Sequence, residues 1–160
     1  MGRMLEAEEV LESLEGFFVP KSLAGRKVVM TAGPTFEAID PVRGITNISS
    51  GKMGYALARA CVQAGAEVVL VSGDVALPVP LGVRRVAAAS AQAMRTAVVD
   101  ALPGADVFIG VAAVADYRPA SYAAHKIKKS DEEMSIPLVP NPDILAEVVN
   151  AGKGAGPEDK

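Results

Sequence analysis

The residues best suited to chemistry lie together between Thr31 and Gly54, in the stretch TAGPTFEAIDPVRGITNISSGKMG. Ser49, Ser50 and Gly51 stand where a helix would begin, with Lys52 beside them, and Gly33, Gly44, Gly51 and Gly54 let backbone approach a ligand closely. Unpaired amides at a helix start, the positive end of the helix dipole and a nearby ammonium are the ingredients of a phosphate cradle. The same residues also read as a plain helix start, in which the serines cap and the glycines only turn the chain. Standard nucleotide signatures do not choose between the two. A P-loop needs four residues between its first glycine and the Gly-Lys pair, then Ser or Thr after the lysine. Here Gly44 is too far from Gly51, and Met53 follows Lys52. No GxGxxG follows the first apolar run, so the dinucleotide fingerprint is missing as well.

The elements that must hold this stretch follow from Gly25 onward. Lys27–Met30 reads as a buried strand and Tyr55–Ala64 as a helix; residues 31–54 join them without periodicity of their own, whereas such connections usually take about 2–6 residues. Glu67–Val71 is a second strand, entered through Gly65 and closed by Ser72-Gly73, and residues 74–83 form a second loop. Val83–Val86 is a short third strand, and Ala91–Leu102 a helix capped near Ser90. Asp106–Ala115, DVFIGVAAVA, is expected to be the most buried strand of the chain, ending in a polar cluster at Asp116, Tyr117 and Arg118. Strand, helix and strand make a right-handed parallel crossover, and ligands of open parallel sheets bind outside the carboxyl ends of the strands. The loop after the first strand and Asp116 would share that edge. Cys61 falls on the Ala-rich face of its helix, as a small buried thiol rather than a nucleophile.

Beyond Asp116, His125, Lys126, Lys128 and Lys129 form a basic run without periodicity, closed by acid at Ser130–Glu133. Alone, such a run is a solvated face. Following a site-forming strand, it also reads as a mobile flap that carries cations over a polyphosphate. Met134–Leu138 is an extended segment, and Asn141-Pro142-Asp143 caps a helix over Ile144–Asn150. At the other end, Met4–Glu15 predicts a short acidic helix with Met4, Ala7, Leu11 and Leu14 on one face. Gly16 is expected to break it, leaving Phe17–Pro20 extended and residues 1–20 as a linker or the tail of another domain.

Composition bounds the class. A chain of 160 residues holds one domain, or a short segment plus one domain. Half of it is hydrophobic, mostly Ala and Val with no Trp, which is the palette of an α/β layer architecture. The net charge of −3 offers no broad cationic excess for nucleic acid. One cysteine permits neither an internal disulfide nor a cysteine metal cluster. With no signal peptide and no membrane-length apolar run, a soluble cytoplasmic protein is the expectation, with neither nucleic acid nor membrane as partner. Ala151–Lys160 is Gly, Pro and charge, and three or four strands make a thin sheet, so the chain is expected to stop before its fold is complete.

The stretches TAGPT, IDPVRGITNISSGKMGYALA, AAVADYRP, KIKK and NPDIL, in this order, resemble the phosphopantothenate–cysteine ligase (phosphopantothenoylcysteine synthetase) family, as found in bacterial bifunctional coenzyme A biosynthesis proteins. The resemblance covers Gly25–Asn150, and residues 1–20, with GRMLEAEEVLE, resemble the end of the preceding flavin-dependent decarboxylase and its linker. It implies a Rossmann-like three-layer α/β/α fold with a mainly parallel sheet, whose C-terminal part is missing. Residues 1–24 would be the tail of the upstream decarboxylase domain and linker, and 25–160 the N-terminal portion of the ligase domain. The implied reaction joins 4′-phosphopantothenate to cysteine using CTP: the carboxylate attacks the α-phosphate and releases pyrophosphate, and the cysteine amine then displaces CMP from the acyl-cytidylate.

Carried over by position, Asn47 matches the catalytic asparagine of NxSSGKMG, and Lys126 matches the flap lysine of KIKK that meets the phosphates. Asp116 in AVADYR matches a nucleotide contact, and Ser49, Ser50, Gly51 and Lys52 match the phosphate-binding turn. Gly33, Pro34, Thr35, Ala112 and Lys129 complete the nucleotide-side set. The resemblance implies Mg²⁺ with the triphosphate, although no carboxylate cluster names its ligands, and a homodimer formed through the ligase part. FMN belongs to the absent decarboxylase domain, whose catalytic cysteine Cys61 is not. The family continues with a Gly-Phe-x-x-Glu-Thr segment and basic residues that this chain lacks, so the expectation is a fragment carrying the first part of the site. Two other readings stand beside it: a Rossmann-like nucleotide-binding oxidoreductase module, and a non-catalytic piece that only binds or assembles.

Overall fold

A computed structural model describes residues 6–129, 131 and 133–153. Met4, Ser130, Glu132 and residues 154–160, named in the sequence reading, lie outside the described residues. The apolar run at Lys27–Ala32 forms β1, and Glu67–Ser72 forms β4, each buried over all but its first residue. Continuous burial of a β-branched run is the mark of strands covered on both faces. Val83–Ala87 forms β5 and Val107–Gly110 forms β6, and the four strands make one parallel sheet in the order β5-β4-β1-β6.

Side-chain alternation sorts the core into two sides. Val28, Met30, Ala32, Val68 and Leu70 pack with Tyr55, Ala58 and Cys61 of helix α2, Lys52–Gln63. Val29, Val69 and Val71 face Met94, Val98 and Ala101 of helix α3, Ala91–Ala101, which is capped by the Ser90 hydroxyl accepting from the Ala93 amide. Helix, sheet and helix give the three layers expected. The seat of α2 on β1 is close because Gly54 has no side chain: a Cβ there would lie 2.5 Å from that of Ala32. From β1 the chain steps outward to β4 and β5, then returns through α3 to place β6 on the other side of β1. The reversal puts a topological switch point between the carboxyl ends of β1 and β6.

Four expectations are corrected. Residues 31–54 are not a structureless connection: Phe36–Asp40 (β2) and Arg43–Thr46 (β3) pair as an antiparallel hairpin. Its strands are too short, and too interrupted by Pro41 and Gly44, to show a period. The strand at β6 is not the most buried one. Among the described residues it pairs only with β1, is half-exposed, and ends at Gly110 because the amides of Val111 and Ala112 turn to donate to the Thr31 hydroxyl, each at 3.2 Å. Helix α1 runs Ala7–Phe18 straight through Gly16, which is buried against Gln63 of α2 and serves as a helix contact instead of a break. Phe17 and Phe18 are thus helical, and α1 is tied to α2 by Arg59 donating to Glu12 at 2.9 Å. Beyond β6, Tyr117–Pro119 (β7) pairs antiparallel with Leu138–Pro140 (β8), and Ile144–Lys153 forms α4 with the Asp143 carboxylate accepting from the Ala146 amide.

Candidate functional site

Helix α2 begins at Gly51, whose φ of 72° is a left-handed conformation that glycine adopts without strain. The Ser49 and Ser50 hydroxyls accept from the amides of Gly51 and Lys52 at 3.3 and 3.5 Å. The next amides, of Met53 and Gly54, have no side-chain cap among the described residues, and the first intrahelical bond runs from Tyr55 to Gly51. The helix therefore presents open N–H groups and its positive dipole end beside the Lys52 ammonium. A recess of about 350 Å³ lies there, lined by Ser49, Ser50, Lys52, Asp74, Val75, Ala76 and Leu77. Two glycines of this region also bring its loops together. A Cβ on Gly51 would stand 3.4 Å from the Gly33 Cα, so the two left-handed glycines let the loops after β1 and before α2 touch backbone to backbone.

At the switch point the loop after β6 is laced to the loop after β1. Ala113 donates to the Gly33 carbonyl at 2.8 Å and accepts from the Thr35 amide at 3.2 Å, beside a parallel bridge to Pro34. Thr35 is fully buried, and its hydroxyl accepts from the Ala115 amide at 2.9 Å. Its side chain ties the loop after β1 to the loop after β6. The exposed Asn47 lies where the two loops meet, its Nδ2 donating to the carbonyls of Ala113 and Val114 at 3.3 and 3.1 Å. The amide oxygen of Asn47 has no partner among the described residues.

On the other side of that junction is a cleft of about 330 Å³ lined by Thr31, Ala112, Val114, Asp116, Asn141 and Asp143, among others. Asn141 builds its wall: its amide donates to the Asp116 carbonyl, its Nδ2 to the Ala115 carbonyl, and its Oδ1 accepts from Arg118. Asn141 was legible in sequence only as a helix-capping residue. Nothing in Asn-Pro-Asp announces a bond to a loop 26 residues earlier.

Lys126 and Lys129 line neither cleft nor recess. Their segment has no regular structure but is held to the hairpin, where Ala123 donates to the Ile39 carbonyl and Ile127 donates to Asp40 at 3.1 Å. Asp40 and Arg43 sit at the hairpin tip, about 13 Å along the strand from Asn47. The Arg43 guanidinium holds the Asp40 carboxyl well below the usual carboxylate range, with further help from the amides of Val42 and Ile127 and against the cost of burial. Burial pushes the Cys61 thiol up, which fits an inert core residue. Among the described residues no group of three or more His, Cys, Asp or Glu could hold a metal ion, and no helix is long and apolar enough to cross a membrane.

Known proteins share this sequence and fold. The coenzyme A biosynthesis bifunctional protein CoaBC of Vibrio vulnificus (strain YJ016) is 56% identical over 149 residues, which is 92% of this chain and 37% of that protein. The chain thus spans little more than a third of that curated relative. The crystal structure of the C-terminal domain of a coenzyme A biosynthesis bifunctional protein CoaBC superposes with a TM-score of 0.69 at 48% identity, covering 80% of this chain and 60% of that one. A Cab2 mutant in complex with phosphopantothenate-cysteine gives a TM-score of 0.67 over 94% of this chain and 68% of its own, a likeness of fold at 17% identity. The DNA/pantothenate metabolism flavoprotein C-terminal domain matches residues 23–155, and the chain belongs to that family.

Proposed function

We infer that this chain carries the first part of a CTP-dependent phosphopantothenate–cysteine ligase site. The observation that carries the reading is the junction at Asn47, which joins the open start of α2 on one side to the switch-point cleft on the other. A nucleotide laid across it places its phosphates at the amides and Lys52, and its nucleoside in the cleft with Ala112 and Asp116. The relatives' role in coenzyme A biosynthesis supports the substrate class, as does a fold neighbour that holds phosphopantothenate-cysteine.

The chemistry needs little acid–base work from the protein. A carboxylate is a poor acyl donor, so one of its oxygens attacks the α-phosphorus of CTP, and the bond to pyrophosphate breaks with its electron pair leaving on oxygen. Fixed donors at the start of α2 and the lysines meet the charge that spreads over the phosphates. The cysteine nitrogen then attacks the acyl carbon, CMP leaves with the bonding pair, and the amine sheds its proton. The uncharged Asn47 amide holds the acyl-cytidylate without repelling it. Mg²⁺ prefers phosphate oxygens and water to a cage of protein ligands, so the donor set fits an ion that arrives on the triphosphate, with Asp74 the carboxylate lining the same recess.

Residues 1–24 as the tail of an upstream decarboxylase domain, a homodimer through the ligase part and a cytoplasmic location belong to the same reading. The test is to incubate the chain with 4′-phosphopantothenate, cysteine and CTP and follow the products by mass spectrometry. Phosphopantothenoylcysteine and CMP in equal amounts are expected, and neither appears without the nucleotide. Product formed equally well with ATP contradicts the CTP assignment, and tighter binding of NADPH than of CTP favours a reductase module.

A further inference from the structure

Asp40 is fully buried, yet it lines neither the recess nor the cleft. Its Oδ1 accepts from the amides of Val42 and Arg43, both at 2.9 Å, as an ordinary turn carboxylate does. Turn formation accounts for that oxygen alone. Its Oδ2 accepts from Arg43 Nε at 3.0 Å, from Arg43 Nη2, and from the Ile127 amide at 3.1 Å. Arg43 Nη2 also donates to the Ile127 carbonyl at 2.7 Å, so the backbone of Ile127 is gripped on both sides. The hairpin is built for this grip. Glu37 and Asp40 are both buried although they are three apart on a strand, which would send them to opposite faces, and the register shift between Ala38 and Asp40 restores the inward aim.

Ile127 is flanked by Lys126 and Lys128, in a loop whose ends are fixed by the pairing of β7 with β8. A residue next to the pin keeps its Cα within about 3.8 Å of it, so whatever holds Ile127 sets where these lysines start. We propose that Asp40 is a positioning residue which, through Arg43 and Ile127, fixes the lysine run on the hairpin so that hairpin and run approach the nucleotide as one body. The proposal rests on the reading that these lysines meet phosphates, and it places Asp40 itself in contact with no reacting atom.

Two measurements on the whole chain test it. In the wild-type protein the Ile127 amide should exchange with deuterium about 10-fold more slowly than those of Lys126 and Lys128. Asp40→Asn should erase that gap while Val28 and Val69 in the sheet keep their protection. CTP should bind Asp40→Asn about 10-fold more weakly than wild type, yet adding Asp40→Asn to a variant with Lys126, Lys128 and Lys129 all changed to Ala should weaken it no further. An Ile127 amide that exchanges as fast as its neighbours overturns the proposal, and so does an Asp40→Asn loss that persists in full without the lysines. Should Asp40→Asn fail to fold, Ile127→Pro, which removes the donated N–H and leaves the hairpin's own bonds in place, replaces it in the CTP-binding comparison with the triple-Ala variant, exchange at Ile127 being read in the wild-type protein. Failure of CTP to bind the wild-type chain contradicts the ligase reading; the pin is then decided by exchange, a protected Ile127 supporting it and a fast one overturning it.

Discussion

The start of α2 and the lysine run at the hairpin tip both offer positive charge, but they are held in opposite ways. Lys52 opens a helix seated in the core, with Gly54, Tyr55, Ala58 and Cys61 buried against the sheet. Lys126, Lys128 and Lys129 are exposed on a segment without regular structure, gripped at Ile127 by one buried carboxylate and one guanidinium. Donors that must meet charge at a fixed place belong on a packed helix, because they then need no reorganisation when charge develops. Cations that must admit a substrate and then cover it belong outside the packed core, on a segment that moves with the hairpin that holds it. Stability and function should therefore separate between the two regions.

The largest effect expected is on the packed side. Gly54→Val would force side-chain atoms into Ala32 and lift α2 from β1, and should cost about 3 kcal/mol in urea unfolding. Lys126→Ala should stay within about 0.5 kcal/mol of wild type in the same experiment. Equal losses would dissolve the comparison. Next in size, Lys126→Ala should slow phosphopantothenate-dependent pyrophosphate release about 100-fold, while nucleotide affinity changes less. An unchanged rate would remove the lysine run from the site.

Asn47→Asp tests the junction between the regions. The new carboxylate would face the carbonyls of Ala113 and Val114 in place of an amide donor, and should slow formation of the cysteine product about 10-fold beyond any loss in pyrophosphate release. Matching losses in both steps would place Asn47 in binding alone. The smallest effect concerns pH. Because the folded state holds Asp40 below its ordinary value of about 3.9, its contribution is fully present above about pH 4 and fades only as pH falls through the depressed folded value. Protection of the Ile127 amide, corrected for intrinsic exchange, should thus be flat between about pH 5 and 7. A fall across that range would mean that Asp40 is not the group holding it.

The fold was legible where local pattern decides it. The runs at Val28–Met30 and Val68–Val71 are apolar enough to be strands in any register, and Ser90 and Asp143 cap the helices that their positions suggest. What periodicity does not report is how many neighbours a strand acquires, so the apolar run after Asp106 read as central although β6 lies at an edge. Gly16 read as a breaker because helix propensity is local, whereas its contact with Gln63 is tertiary. In the candidate site, the Ser-Ser-Gly-Lys helix start was visible because its chemistry is contained in consecutive residues. Thr31 and Asn141 were not visible as site builders, since each acts through hydrogen bonds to segments distant in sequence, and Thr35 entered only by resemblance. The grip of Asp40 on Ile127, across 87 positions, left no trace in spacing at all.

The most direct measurement of the central claim is pyrophosphate release from CTP by this chain with cysteine omitted, in the presence and absence of 4′-phosphopantothenate. The account predicts release only when phosphopantothenate is present, since its carboxylate is the nucleophile that expels pyrophosphate. Release that proceeds equally without it, with water as the nucleophile, or no release at all while CTP is bound, would contradict the assignment of carboxylate activation to the residues of this chain.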